Sequence, residues 1–175
     1  QQYWIPRTHQ AAREVAAWWP KGRVMGVCPY GASRKKYLDG EWIERIVRTC
    51  LTQGWQVVML VLPIQLSGVR TLIQTNHWQD RVSVNLGAAS QNALFEQVAR
   101  CDAIVSVDTA VVHLAVGLDK PLLAIYNSIG QEFENWHPND PNALVVRTVG
   151  NEDTTVNALD EDVLLESLEL LTRTS

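Results

Sequence analysis

The chain has 175 residues, 46% hydrophobic and 19% charged, enough for one soluble globular domain with a sizeable core. Fifteen Lys and Arg against nineteen Asp and Glu leave a net charge of −4, and no basic stretch is long enough for a nucleic-acid footprint, so no nucleic-acid partner is expected. Three widely spaced cysteines, Cys28, Cys50 and Cys101, argue against a disulfide framework or a zinc site and fit a reducing cytosol.

In chain order, Arg7–Trp19 reads as a helix with Thr8 as N-cap and Ala11, Val15 and Trp18 on one face; Pro20 and Gly22 end it. Arg23–Cys28 is a short apolar strand, and Pro29–Gly40 a polar loop with three consecutive basic residues. Asp39 caps Glu41–Gln53, whose Trp42, Ile43, Ile46, Val47, Cys50 and Leu51 form one helical stripe closed by Gly54. Gln56–Leu62 is an unbroken apolar strand expected to be buried on both faces. A weaker helix, Gln65–Asn76, a strand, Val82–Leu86, and a helix, Gln91–Arg100 capped by Ser90, follow. Ala103–Val107 is a second buried strand leading into the helix Thr109–Leu118; Pro121–Tyr126 and Leu144–Arg147 are further strands. Asn127–Asn142 is the longest irregular stretch, and Asp160 caps a final helix, Glu161–Thr172. This alternation predicts an α/β fold: a mostly parallel sheet covered by helices on both faces, a three-layer α/β/α arrangement.

In such sheets ligands sit outside the carboxyl ends of the strands. Three loops qualify: Pro29–Gly40, Gly87–Ser90 and the Asp108-Thr109 junction. The junction is the sharpest, because a helix amino end offers unpaired N–H groups and partial positive charge to a phosphate. Thr109 adds a hydroxyl, and His113, four residues on, shares its helical face. By itself Asp-Thr-x-x-x-His also fits a helix with Asp108 as N-cap and His113 as a satisfied core histidine. In the first loop Gly31 permits close backbone approach, Ser33 offers a hydroxyl and a lysine supplies charge, the parts of a phosphate cradle; a solvated basic loop is the alternative. The spacing is not that of a Walker loop, and the absence of Gly-x-Gly-x-x-Gly argues against a classical dinucleotide-binding fold. Asp160-Glu161-Asp162 reads as helix capping rather than a metal site, and no metal is expected.

Three segments together resemble the bacterial ADP-heptose:lipopolysaccharide heptosyltransferases, specifically their C-terminal half. They are Gly31-Ala32-Ser33-Arg34-Lys35-Lys36-Tyr37 with Trp42 beyond, Gly87-Ala88-Ala89-Ser90 followed by Leu94, and Val105-Ser106-Val107-Asp108-Thr109-Ala110-Val111-Val112-His113-Leu114-Ala115 running on to Lys120-Pro121. The resemblance implies the Rossmann-like C-terminal half of a GT-B glycosyltransferase. Residues 1–22 would carry a linker helix from an N-terminal domain that also supplies the acceptor site and the catalytic base, and residues 23–175 would form the nucleotide-sugar domain. It implies that Asp108, Thr109 and the Ala110 backbone hold the sugar and diphosphate. Ser33 and Lys35 would hold phosphate, with Lys35 stabilising the leaving diphosphate; His113 would lie close behind, and Ala89 would border the base pocket. The implied donor is a nucleotide sugar such as ADP-heptose, used without metal or other cofactor, and the implied acceptor is the lipopolysaccharide core. The implied location is cytoplasmic, peripheral at the inner-membrane face. A chain starting at Gln1 and lacking an N-terminal half would then be an inactive fragment. Departures from the family pattern fall at Leu38, Ala110, Asn127 and Pro63-Ile64-Gln65-Leu66. The rivals are a sugar-nucleotide epimerase of the same architecture, a flavodoxin-like interaction domain with Asp108 as phosphoacceptor, and a transferase half that has lost its ligand. The second rival lacks the acidic pair a receiver needs, since Cys28-Pro29-Tyr30 stands there.

Overall fold

Each central strand carries apolar residues on both sides, so each needs a helical layer above and below. The structure, a computed structural model, describes residues 8–84, 91–127, 143–148 and 154–173. Within them lie β1 (Val24–Cys28), β2 (Gln56–Met59), β3 (Val82–Val84), β4 (Ala103–Val107), β5 (Leu122–Tyr126) and β6 (Ala143–Arg147). The helices are α1 (His9–Trp18), α2 (Gly40–Thr52), α3 (Leu66–Thr75), α4 (Gln91–Arg100), α5 (Ala110–Gly117) and α6 (Glu161–Arg173). All strand pairs are parallel, in the order β3-β2-β1-β4-β5-β6.

That order is the dinucleotide-binding one, and a flavodoxin-like sheet would run 2-1-3-4-5. The missing glycine fingerprint therefore misleads about the sheet. What differs is the loop after β1, which turns through Pro29 into a short 3-10 turn, Arg34–Lys36.

Side chains alternate between two cores. Met25, Val27, Val105 and Val107 point to the side covered by α2, α3 and α6, through Ile46, Val69 and Leu168 among others. Val24, Cys28 and Ile104 point to the other side, under α4 and α5 with Val98, Val112 and Ala115. Trp55 and Trp78 are buried. α1 is capped by Thr8, whose side chain accepts from Ala11 N, and buries Ala11 and Val15; Arg100 of α4 donates to its Ala12 carbonyl at 3.3 Å. The first helix thus packs as part of this domain's outer layer.

Two expected boundaries shift. β2 stops at Met59, which pairs with Val27 on one side and Val84 on the other, rather than at Leu62. Leu60 and Val61 stay buried, but Leu62 emerges 58% exposed. The helix expected from Thr109 begins at Ala110, with Thr109 itself as N-cap. The expected Ser90 cap and most of the long loop after Tyr126 lie outside the described residues.

Candidate functional site

The chain reverses its direction of travel across the sheet between β1 and β4, so a crevice opens where their carboxyl ends diverge. Cys28 pairs with Ser106 at that edge, and the N-cap of α5, Thr109, comes three residues further on. Thr109 is extended (φ −149°, ψ 174°), and its Oγ1 accepts the Val111 N–H at 3.1 Å. Ser106 Oγ donates to the Val107 carbonyl at 2.7 Å. Its proton is therefore committed, and in the 3.2 Å contact between Ser106 and Thr109 hydroxyls the threonine is the donor. The Thr109 hydroxyl is thus engaged inward on both counts. The Ala110 N–H, at the first position of α5, has no acceptor among the described residues, and Ala110 lines the cavity at the helix's positive end.

Asp108 is not the cap. Its carboxylate receives the Lys36 ammonium at 2.8 Å, each side chain about one-fifth exposed. The turn that delivers Lys36 is tight: Lys36 N–H donates to Ser33 C=O and Gly31 N–H to Lys36 C=O, both at 2.9 Å. At Gly31 a Cβ would sit 2.5 Å from Lys36 Cβ and 3.2 Å from the Asp108 carbonyl, so only glycine lets the loop close onto the β4–α5 junction. Tyr30 and Tyr37 bridge across the loop with rings 4.9 Å apart. Gln65 Nε2 donates to the Tyr37 hydroxyl at 3.1 Å, while its Oε1 accepts from Leu62 N.

Beside the junction lies a cavity of about 280 Å³, large enough for a flat heterocycle, its walls mostly apolar. Tyr30, Gly31 and Ala32 form one wall, Leu60 to Leu62 a second, and Thr109 to Val111 a third. No group on its walls ionises readily at neutral pH. Burial pushes the Cys28 thiol up, only partly offset by hydrogen bonds to Thr109, Ser106 and the Tyr30 backbone. Burial raises Tyr30, and Tyr37 adds to it. Nearby Tyr126 is raised by burial and by the Asp108 charge. Among the described residues no cluster of acidic, histidine or cysteine side chains is arranged to hold a metal, and no helix is long and apolar enough to cross a membrane.

The family model for glycosyltransferase family 9 (heptosyltransferase) matches residues 6–161. The chain belongs to glycosyltransferase family 9. It is 28% identical over 134 residues to lipopolysaccharide heptosyltransferase 2 of Salmonella typhimurium, covering 72% of this chain and 36% of that protein. Among solved structures, the Escherichia coli ADP-heptose lipopolysaccharide heptosyltransferase II superposes with a TM-score of 0.76 at 19% identity, over 96% of this chain and 53% of that one. A family 9 glycosyltransferase from Veillonella parvula gives 0.80 at 16% identity, over 98% and 54%. This family 9 chain therefore has a GT-B-type Rossmann-like fold and spans about half the length of these structures, less of the Salmonella protein.

The fold brings Gly31, Asp108, Thr109 and Ala110 together at one crevice. Ser33 and Lys35 are exposed on the outer side of the 3-10 turn, away from the cavity walls. His113 is half-buried one turn along α5 and does not line the cavity. Ala89 lies outside the described residues. Two contributors were missed in the family 9 sequence. Lys36 follows two other basic residues, Arg34 and Lys35, and only the Gly31–Lys36 turn selects it. Asn157 holds the loop from 118 residues beyond Asp39, a separation no local pattern spans.

Proposed function

We propose that this chain is the donor-binding domain of a heptosyltransferase, taking the nucleoside diphosphate end of a nucleotide sugar at the β1/β4 crevice. One observation carries the reading: an apolar cavity sized for a base is walled on one side by the amino end of α5, Thr109 to Val111, next in sequence to Asp108, which Lys36 pairs. The base enters the cavity, and the diphosphate lies over the start of α5. There the helix dipole and the basic turn with Ser33, Lys35 and Lys36 balance its charge. Asp108 then faces the sugar, whose hydroxyls a carboxylate accepts, with Thr109 and His113 supporting the junction and Ala89 beside the base.

The donor is ADP-heptose, named in the Escherichia coli relative, and the acceptor is the core of lipopolysaccharide, a molecule that both relatives name. In this reading Asp108, paired with Lys36, serves the donor, and the general base that activates the acceptor belongs to the N-terminal half of the same protein, as does the acceptor site. The reaction displaces the nucleoside diphosphate without a metal, and the whole enzyme works in the cytoplasm against the inner-membrane face.

Titration calorimetry of this chain with ADP and ADP-heptose tests the reading. Saturable heat with both, and negligible heptose transfer to core acceptor, is the expected result. No heat and no thermal shift at millimolar ligand would refute donor binding, and transfer at a normal enzymatic rate would refute the division of labour.

A further inference from the structure

The segment after β6 comes back over the β1–α2 loop and fastens it. Val156 N–H donates to the Lys35 carbonyl at 2.8 Å, and the Val156 side chain is buried in the core beneath. The next residue, Asn157, makes three bonds to the loop and the start of α2. Its Nδ2 donates to the Tyr37 carbonyl at 2.8 Å. Its Oδ1 accepts from Asp39 N–H at 2.8 Å. Its backbone carbonyl accepts from the Trp42 indole N–H at 3.0 Å. A carboxamide suits this place because it takes an N–H and a C=O of the same loop at once; a carboxylate only accepts. The other side of the loop is tied to β1 by Leu38 N–H on the Pro29 carbonyl, 2.9 Å. Between the two attachments sits the 3-10 turn with three adjacent cations, Arg34 to Lys36, whose mutual repulsion favours a looser loop.

We infer that Asn157 is a positioning residue for the phosphate end of the donor: it holds the basic turn in its binding shape without touching ligand. The inference rests on the donor-binding reading above. Asn157 does not line the cavity, so its effect must pass through the loop, by lowering the ordering cost of binding.

Calorimetry of the 175-residue chain with three probes, ADP, inorganic pyrophosphate and adenosine, is the test. Asn157→Ala weakens ADP and pyrophosphate about ten-fold, the worth of one or two hydrogen bonds, and leaves adenosine within about two-fold. Trp42→Phe, which removes the indole donor to the Asn157 carbonyl together with part of the ring, gives a smaller loss with the same selectivity, and decides the matter alone if Asn157→Ala does not fold. Unchanged ADP and pyrophosphate binding, or equal weakening of ADP and adenosine, overturns the positioning role while the donor reading stands. A wild-type chain that binds none of the three overturns both.

Discussion

Asp108 puts a carboxylate at the proposed diphosphate site, and on charge alone that is unfavourable. Lys36 resolves the conflict at 2.8 Å. The pair is partly exposed, so its own contribution to stability is small, about 1 kcal/mol or less; its value lies in the field it presents to a ligand. The two single variants should therefore diverge. Lys36→Ala leaves an unpaired carboxylate beside the phosphates, and ADP affinity falls about ten-fold or more. Asp108→Asn removes the repulsion and frees Lys36, so ADP binds as tightly as before or tighter, while ADP-heptose loses its sugar contact and its advantage over ADP. Calorimetry of both ligands on both variants checks this. If Asp108→Asn weakens ADP and ADP-heptose equally, the carboxylate serves the loop and not the sugar.

At the scale of elements, α5 depends on its cap. Val111, Val112 and Ala115 bury one face, but the helix has only 8 residues, too few to be stable without packing and capping. Thr109→Ala removes the oxygen that accepts Val111 N–H and costs about 1 kcal/mol, a fall in Tm of roughly 2–4 °C for a chain this long. Thr109→Ser restores most of it. A thermal melt in which alanine and serine behave alike would deny the capping role. The same junction shows what was legible in the sequence. The helices and their inner faces were, because Ile43, Ile46, Val47 and Cys50 recur at helical spacing and Asp39 caps them as read, accepting from Trp42 N–H at 3.1 Å. So was the grouping of Gly31 with Asp108 to Ala110, because both loops follow buried strands. The choice of cap between adjacent Asp108 and Thr109 was not, since either residue type caps well and a lysine 72 residues away decides it. The end of β2 was not, since Leu60 to Leu62 are as apolar as the strand and no turn residue marks where pairing stops. Asn157 was out of reach for the same reason, its partners being set by tertiary return.

For the molecule as a whole, a sheet covered on both faces leaves no room for solvent around its cysteines, and this gives the fold an alkaline limit. Cys28, Cys50 and Cys101 are all buried. Burial raises the thiol of each, that of Cys50 to about 12 from an ordinary value of 9.0. In the unfolded chain these thiols lose their protons near pH 9; in the native chain they keep them. Above that pH the unfolded state binds fewer protons than the native one, so stability falls as pH rises. The contribution is intact below pH 9 and for Cys50 is lost progressively up to about pH 12, at a rate on the order of 1 kcal/mol per pH unit. Raised Tyr30 and Tyr126 join in above pH 10.0, their ordinary value. Cys50→Ala separates the thiol from the rest. At pH 8 the variant is less stable than wild type by about 1–2 kcal/mol, the cost of a small cavity. At pH 10 it no longer bears the Cys50 penalty, so the gap narrows by about 1 kcal/mol. Urea unfolding of both proteins at the two pH values measures it, and a constant gap would mean that the native Cys50 thiol ionises as easily as a free one.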